Sequence, residues 1–199
     1  MDIFIHIWIK FFFLLTPFFS MSAFLSLTKE LEISEKYKIA LKVTVSIVIV
    51  CSILYFFGNE LFNLFGITLD SFRIGAGSLL FISSVKMVQG SNQSQQFTYN
   101  VKEDISVVPL AIPITVGPAT TGALLVLGAE LTDSWEKLIG YFALLTASIC
   151  VGILLIISTS VKQLVGQNGL IILEKLTGLI LSALAAQIIF TGAKNFIIQ

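Results

Sequence analysis

The sequence predicts an all-α membrane protein. Six transmembrane helices are expected as two inverted three-helix repeats, with the first and fourth broken at proline, in one transmembrane domain over residues 1–199. Three observations carry this expectation. Hydrophobic residues are 56% of the chain and charged residues 12%, against about 25% charged in a soluble domain, and mean hydropathy is +0.95. Apolar runs of roughly 18 or more residues recur along the chain, each long enough to cross about 30 Å of hydrocarbon at about 1.5 Å per residue. Finally, one constant offset of 101 residues relates the two halves.

The first run is Ile3–Leu27, interrupted by Lys10 and Pro17. It lacks the basic start and the small-x-small end of a signal peptide, so it reads as mature structure. The second run is Ile39–Phe57 and the third Ser71–Val88. A polar stretch, Ser91–Glu103, separates a first repeat (residues 1–90) from a second (residues 104–199). The fourth run, Ile105–Leu127, carries Pro109, Pro113 and Pro118. Leu138–Ser158 and Gly169–Phe190 complete the set. Backbone groups in lipid must bond internally, so each run is expected to be helical unless protein surrounds it.

Orientation follows from the basic residues of the loops. Lys29, Lys36, Lys38, Lys42, Lys86, Lys102, Lys162 and Lys175 fall on the side of loops 1, 3 and 5. Lys10, Lys137 and Lys194 fall on the other. The excess places the central polar linker in the cytoplasm and both termini outside.

At the repeat offset Thr16-Pro17 falls on Gly117-Pro118, with hydroxyls following each: Ser20 and Ser22 in one half, Thr120 and Thr121 in the other. Gly77 and Leu80 fall on Gly178 and Leu181, and Arg73 on Glu174. An odd number of spans per half inverts the second half, an architecture that recurs in secondary transporters whose sites lie where paired helices break. Proline removes a backbone donor and frees the preceding turn. Candidate substrate-binding residues are therefore Thr16, Pro17, Ser20, Ser22, Thr115, Gly117, Pro118, Thr120 and Thr121. The plainer alternative is a kinked helix whose threonines re-satisfy its own backbone.

Intramembrane charge is scarce and for that reason informative. Asp70 and Arg73 stand three apart on one helix face and can pair. With Glu174 they are candidate gating or ion-pair residues, the alternative being a structural pair near the interface. Glu103 and Asp104 suit the positive end of the helix that follows.

Several classes are disfavoured. Twelve basic and twelve acidic residues give no basic footprint for nucleic acid. Cys51 and Cys150 lie in apolar runs and read as small hydrophobes, with no disulfide expected. His6 is the sole histidine, so no familiar metal or cofactor site can be assembled. No span pairs a nucleophile with a base, and no enzyme is expected. Gly75, Gly77 and Gly140 would permit close helix approach within one chain or between two, leaving oligomeric state open.

Four segments resemble the MarC family of six-span bacterial and archaeal inner-membrane proteins, grouped with lysine-exporter-like folds. They are Pro17–Thr28 (PFFSMSAFLSLT), Phe65–Gly90 (FGITLDSFRIGAGSLLFISSVKMVQG), Glu103–Leu127 (EDISVVPLAIPITVGPATTGALLVL) and Leu176–Gly192, with its TGLILSALAAQIIFTG. The resemblance covers essentially the whole chain. It implies a multi-pass protein of the bacterial inner membrane that transports small neutral solutes such as small neutral amino acids. The family's first span usually reads Asn-Pro, then Gly and a second Pro; Thr16-Pro17-Phe18-Phe19, with Ser22 at the later proline, implies a milder break here.

The expected function is thus secondary transport, with export one of the directions left open, of a small neutral or zwitterionic solute, with membrane lipid around it and H+ or Na+ as coupling ion. The competing class is a non-transporting assembly or regulatory membrane protein whose repeat is merely ancestral. A channel is a further alternative.

Overall fold

The computed structural model describes residues 2–90, 110, 111, 114–131 and 133–198. The polar linker Ser91–Glu103 and the start of the fourth run, with Pro109 and Pro113, lie outside the described residues.

Two helices stand where one apolar run was expected to span. α1 (Asp2–Leu14) and α2 (Pro17–Leu27) meet at Thr16, which adopts left-handed backbone geometry (φ 46°). Thr16 is the only non-glycine with positive φ among the described residues. A β-branched residue in this region is strained, and Pro17 cannot carry the ladder across it.

α3 (Ile33–Phe65) and α4 (Leu69–Gln89) extend beyond their predicted apolar runs. Hydropathy marks only the lipid-crossing part of a helix, whereas the helix continues until its caps. The Glu35 carboxylate accepts the Glu32 N–H at 3.3 Å at the start of α3. Gly66 (φ 63°) ends that helix in the left-handed region that glycine adopts freely. Thr68 Oγ1 then accepts the Ser71 N–H at 3.2 Å to open α4.

α5 (Pro118–Glu130) is the described part of the fourth run, and α6 (Ser134–Ile156) follows after Asp133, whose carboxylate accepts the Trp135 N–H at 3.1 Å. α7 (Ser158–Ile198) runs well past the predicted sixth span and is interrupted at Gly166 (φ 73°). α2 and α5 begin 101 positions apart, as do α3 and α6.

α4 packs along α7, and α3 along α6. The two helices that follow the breaks are distributed crosswise, α2 on α6 and α7 and α5 on α3 and α4. Small residues make this possible. A Cβ added at Gly77 would lie 2.7 Å from Ile189 Cγ1, and one at Gly128 would strike the Tyr55 carbonyl oxygen. Gly140 likewise faces the Tyr55 hydroxyl within the chain, whereas nothing lies near Gly75. Both cysteines are free thiols.

The distribution of residues inverts the soluble pattern. On α6 the buried face is Gly140, Ala143, Ala147, Ser148 and Gly152 among leucine and valine, while Phe142, Ile149 and Ile153 stand exposed. Large apolar side chains outside and small ones at helix contacts suit a lipid solvent, where packing rather than hydrophobicity drives association. Among the described residues five helices are long and apolar enough to cross a membrane: Ile3–Leu27, taken across its break, Ile33–Phe65, Leu69–Gln89, Ser134–Ile156 and Ser158–Ile198.

Candidate functional site: two crossed helix breaks and an adjoining cavity

The two breaks lie against each other, and each supplies the polar partner that the other lacks. Thr120 Oγ1, in the first turn of α5, donates to the Leu14 carbonyl at the end of α1 (3.3 Å). Thr115 Oγ1, just before α5, lies 3.0 Å from Ser20 Oγ in the first turn of α2. Thr115 Oγ1 is also 2.9 Å from the Leu110 carbonyl, and Ser20 Oγ 3.4 Å from that of Leu15. Two hydroxyl protons serve those three contacts. The Val116 N–H meets the Ala111 carbonyl at 2.9 Å, an i to i+5 turn of the kind found at interrupted helices.

The helix starts at the breaks differ from those of α4 and α6. α4 and α6 open under side-chain acceptors, Thr68 and Asp133. α2 and α5 begin with proline and have no side-chain cap. Their first turns therefore present unpaired N–H groups and the positive ends of two helix dipoles beside one another inside the protein.

The sequence-predicted residues separate by role. Ser20, Thr115 and Thr120 are buried and joined across the breaks. Thr16 and Pro17 form the first break; Gly117 caps α5, Pro118 opens it and Thr121 lies half-buried in its first turn. Ser22 is set apart: its oxygen makes no hydrogen bond of good geometry and lies close to the Glu174 carboxyl of α7.

Asp70 and Arg73 pair as predicted (2.6 Å). Arg73 also reaches Glu130 at the end of α5 (3.0 Å), and Asn195 Nδ2 donates to Asp70 Oδ1 (3.2 Å). This cluster ties α4, α5 and α7 at one end of the molecule. Glu174 is not part of it. α4 and α7 are antiparallel, with Gly192 against Asp70 and Gly178 against Ser84, so Glu174 sits toward the opposite end.

A cavity of about 320 Å³ lies between α1, α4, α5 and α7. Its polar lining is Lys10, Arg73, Glu130, Gln187 and Thr191, and it reaches Leu14, whose carbonyl receives Thr120. Of the predicted residues only Arg73 lines it. Lys10, Glu130, Gln187 and Thr191 were not singled out from sequence. Lys10 and Glu130 did carry a signal, as charges interrupting or closing apolar runs; the two uncharged groups carried none.

A helical bundle with large apolar side chains outside, small ones at its helix contacts and two helix breaks crossed inside it is a multi-pass integral membrane protein. The chain belongs to the MarC family of integral membrane proteins, whose match covers residues 1–197. It is 34% identical over 145 residues to the UPF0056 membrane protein MJ1677 of Methanocaldococcus jannaschii, covering 70% of each chain. To the UPF0056 membrane protein YhcE of Escherichia coli it is 32% identical over 150 residues (72% of this chain, 69% of the relative). A UPF0056 membrane protein of Aquifex aeolicus is 30% identical over 154 residues, 73% of this chain and 72% of its own. No solved structure matches the chain.

Proposed function

We propose that this protein is a secondary transporter of small neutral solutes, of the size and polarity of small neutral amino acids, in the bacterial inner membrane. The observation that carries the reading is the pair of crossed helix breaks, with a polar cavity that adjoins them at Leu14. Irregular backbone at membrane depth is tolerated where protein surrounds it or a wet cavity is lined. In transporters built on such breaks, half-helix starts receive an anionic group and freed carbonyls a cation.

The reading includes six spans as two inverted repeats, α1–α4 and residues 104–198, with the described α5 as the second part of the fourth span. Supporting it are the common spacing of the starts of α2 and α5 and of α3 and α6. The crosswise packing of α2 on α6 and α7 and of α5 on α3 and α4 has the reciprocity a two-fold relation would produce. In this arrangement both termini face the periplasm. Alternating access would rock one half on the other about the crossed breaks, with H+ or Na+ as coupling ion and no catalytic step.

Purified protein in liposomes should take up labelled alanine or glycine with saturable counterflow, which a channel would not give. Thr120→Val and Pro118→Ala should each reduce that flux while the protein stays folded. Absence of flux in the wild type, with neither variant differing from it, would favour the non-transporting assembly or regulatory role.

A further inference from the structure

We infer that Lys10 and Glu130 are the charge-selecting pair of the cavity, Lys10 receiving the solute's anionic group and Glu130 its cationic group, with Arg73 a positioning residue for Glu130. The inference rests on the transport reading and adds to it residues that neither the repeat nor the crossed breaks contain.

Three charged groups line the cavity, Lys10, Arg73 and Glu130, and Asp70 stands behind Arg73. Arg73 is held by Asp70 at 2.6 Å and reaches Glu130 through Oε1 with both Nε and Nη2, each at 3.0 Å. The second oxygen of Glu130 makes none of these contacts. Lys10 lies on the α1 wall of the same cavity, and no described carboxylate is within ion-pairing distance of it. From α7 the uncharged Gln187 and Thr191 face the space, and Asn195 is spent on Asp70. Glu60 of α3 is exposed on the molecular surface. Two positive and two negative groups balance, but Lys10 and Glu130 are separated, so the chamber is neutral overall and dipolar within.

That pattern discriminates among solutes. An apolar molecule filling the space would leave both charges desolvated without partners, which is costly. A net ion would leave the chamber charged at membrane depth. A net-neutral molecule carrying both signs answers both groups and adds no charge. A volume of about 320 Å³ is at the small end of ligand sites, roughly 300–1,000 Å³. Lys10 is one helical turn before Leu14 on the α1 wall.

The test measures binding and flux separately. Wild-type protein in detergent is titrated with alanine, propionate and ethylammonium, reading thermal stabilisation, and the same probes compete for alanine uptake in liposomes. Alanine should be preferred. Lys10→Gln should weaken alanine about tenfold or more, the order of one charge-assisted hydrogen bond, and shift preference toward ethylammonium. Glu130→Gln should shift it toward propionate, and Arg73→Lys should weaken ethylammonium and alanine but spare propionate. Equal weakening of all three probes by every variant would mean that the residues are only structural and would overturn the assignment. So would unchanged alanine flux in Lys10→Gln and Glu130→Gln, which leaves transport standing. Lys10-dependent binding without any flux would uphold the pair and sink transport instead. If alanine neither stabilises nor competes in folded wild-type protein, Lys10 merely extends toward the headgroups and the pair is refuted.

Discussion

At the scale of single residues, the structure gives polar side chains two different tasks. Thr115, Ser20 and Thr120 are consumed in joining the breaks, which explains why hydroxyls cluster there without lining the cavity. Thr115→Val keeps the shape and removes the hydroxyl; it should lower stability by about 0.5–1.5 kcal/mol, measured as a shift in thermal unfolding in detergent. Arg73 is different because it neutralises buried groups. Asp70 is only 8% exposed, and Arg73→Ala would leave it with the Asn195 amide alone. Loss of about 3–5 kcal/mol is expected, read as a large fall in melting temperature, with Asp70→Asn in the same background restoring part of it.

At the scale of elements, glycine and proline decide how closely and where helices meet. Gly128 lies against the Tyr55 backbone and Gly75 faces open space, though both are helical glycines of similar appearance in sequence. Gly128→Ala should separate α3 from α5 and cost about 1–3 kcal/mol. Gly75→Ala should be neutral or stabilise by up to about 1 kcal/mol, since alanine is the better helix former. Comparing the two melting temperatures checks the contrast. Span centres were legible because an apolar run of fixed length is a direct requirement of the bilayer. Span ends were not, because Glu35 and Asp133 caps and the left-handed Gly66 act beyond the apolar window. Likewise Pro17 announced a break, but the left-handed turn at Thr16 depends on what α1 and α2 pack against.

At the scale of the whole molecule, the proposed orientation gives a direct prediction. In a background without Cys51 and Cys150, Glu60→Cys and Trp135→Cys should react with an impermeant maleimide added to intact cells. Glu30→Cys and Lys162→Cys, exposed near the other end of the bundle, should react only after permeabilisation. The reverse pattern would invert the topology and place both termini in the cytoplasm.

Composition and run length alone determined that this chain lives in a membrane as packed helices, since lipid demands apolar length and internally bonded backbone. The motif text determined its family, and the offset between Pro17 and Pro118 determined which helices break. Tertiary structure alone decided what the breaks do. Only when α2 and α5 cross into the opposite halves of the bundle does Thr120 meet Leu14, and only the packing of α5 and α7 on α4 brings Arg73, Glu130, Gln187 and Thr191 around one cavity with Lys10. Lys10 and Glu130 are 120 residues apart in the chain. No local periodicity encodes such a meeting, because it is fixed by small residues that let distant helix backbones touch.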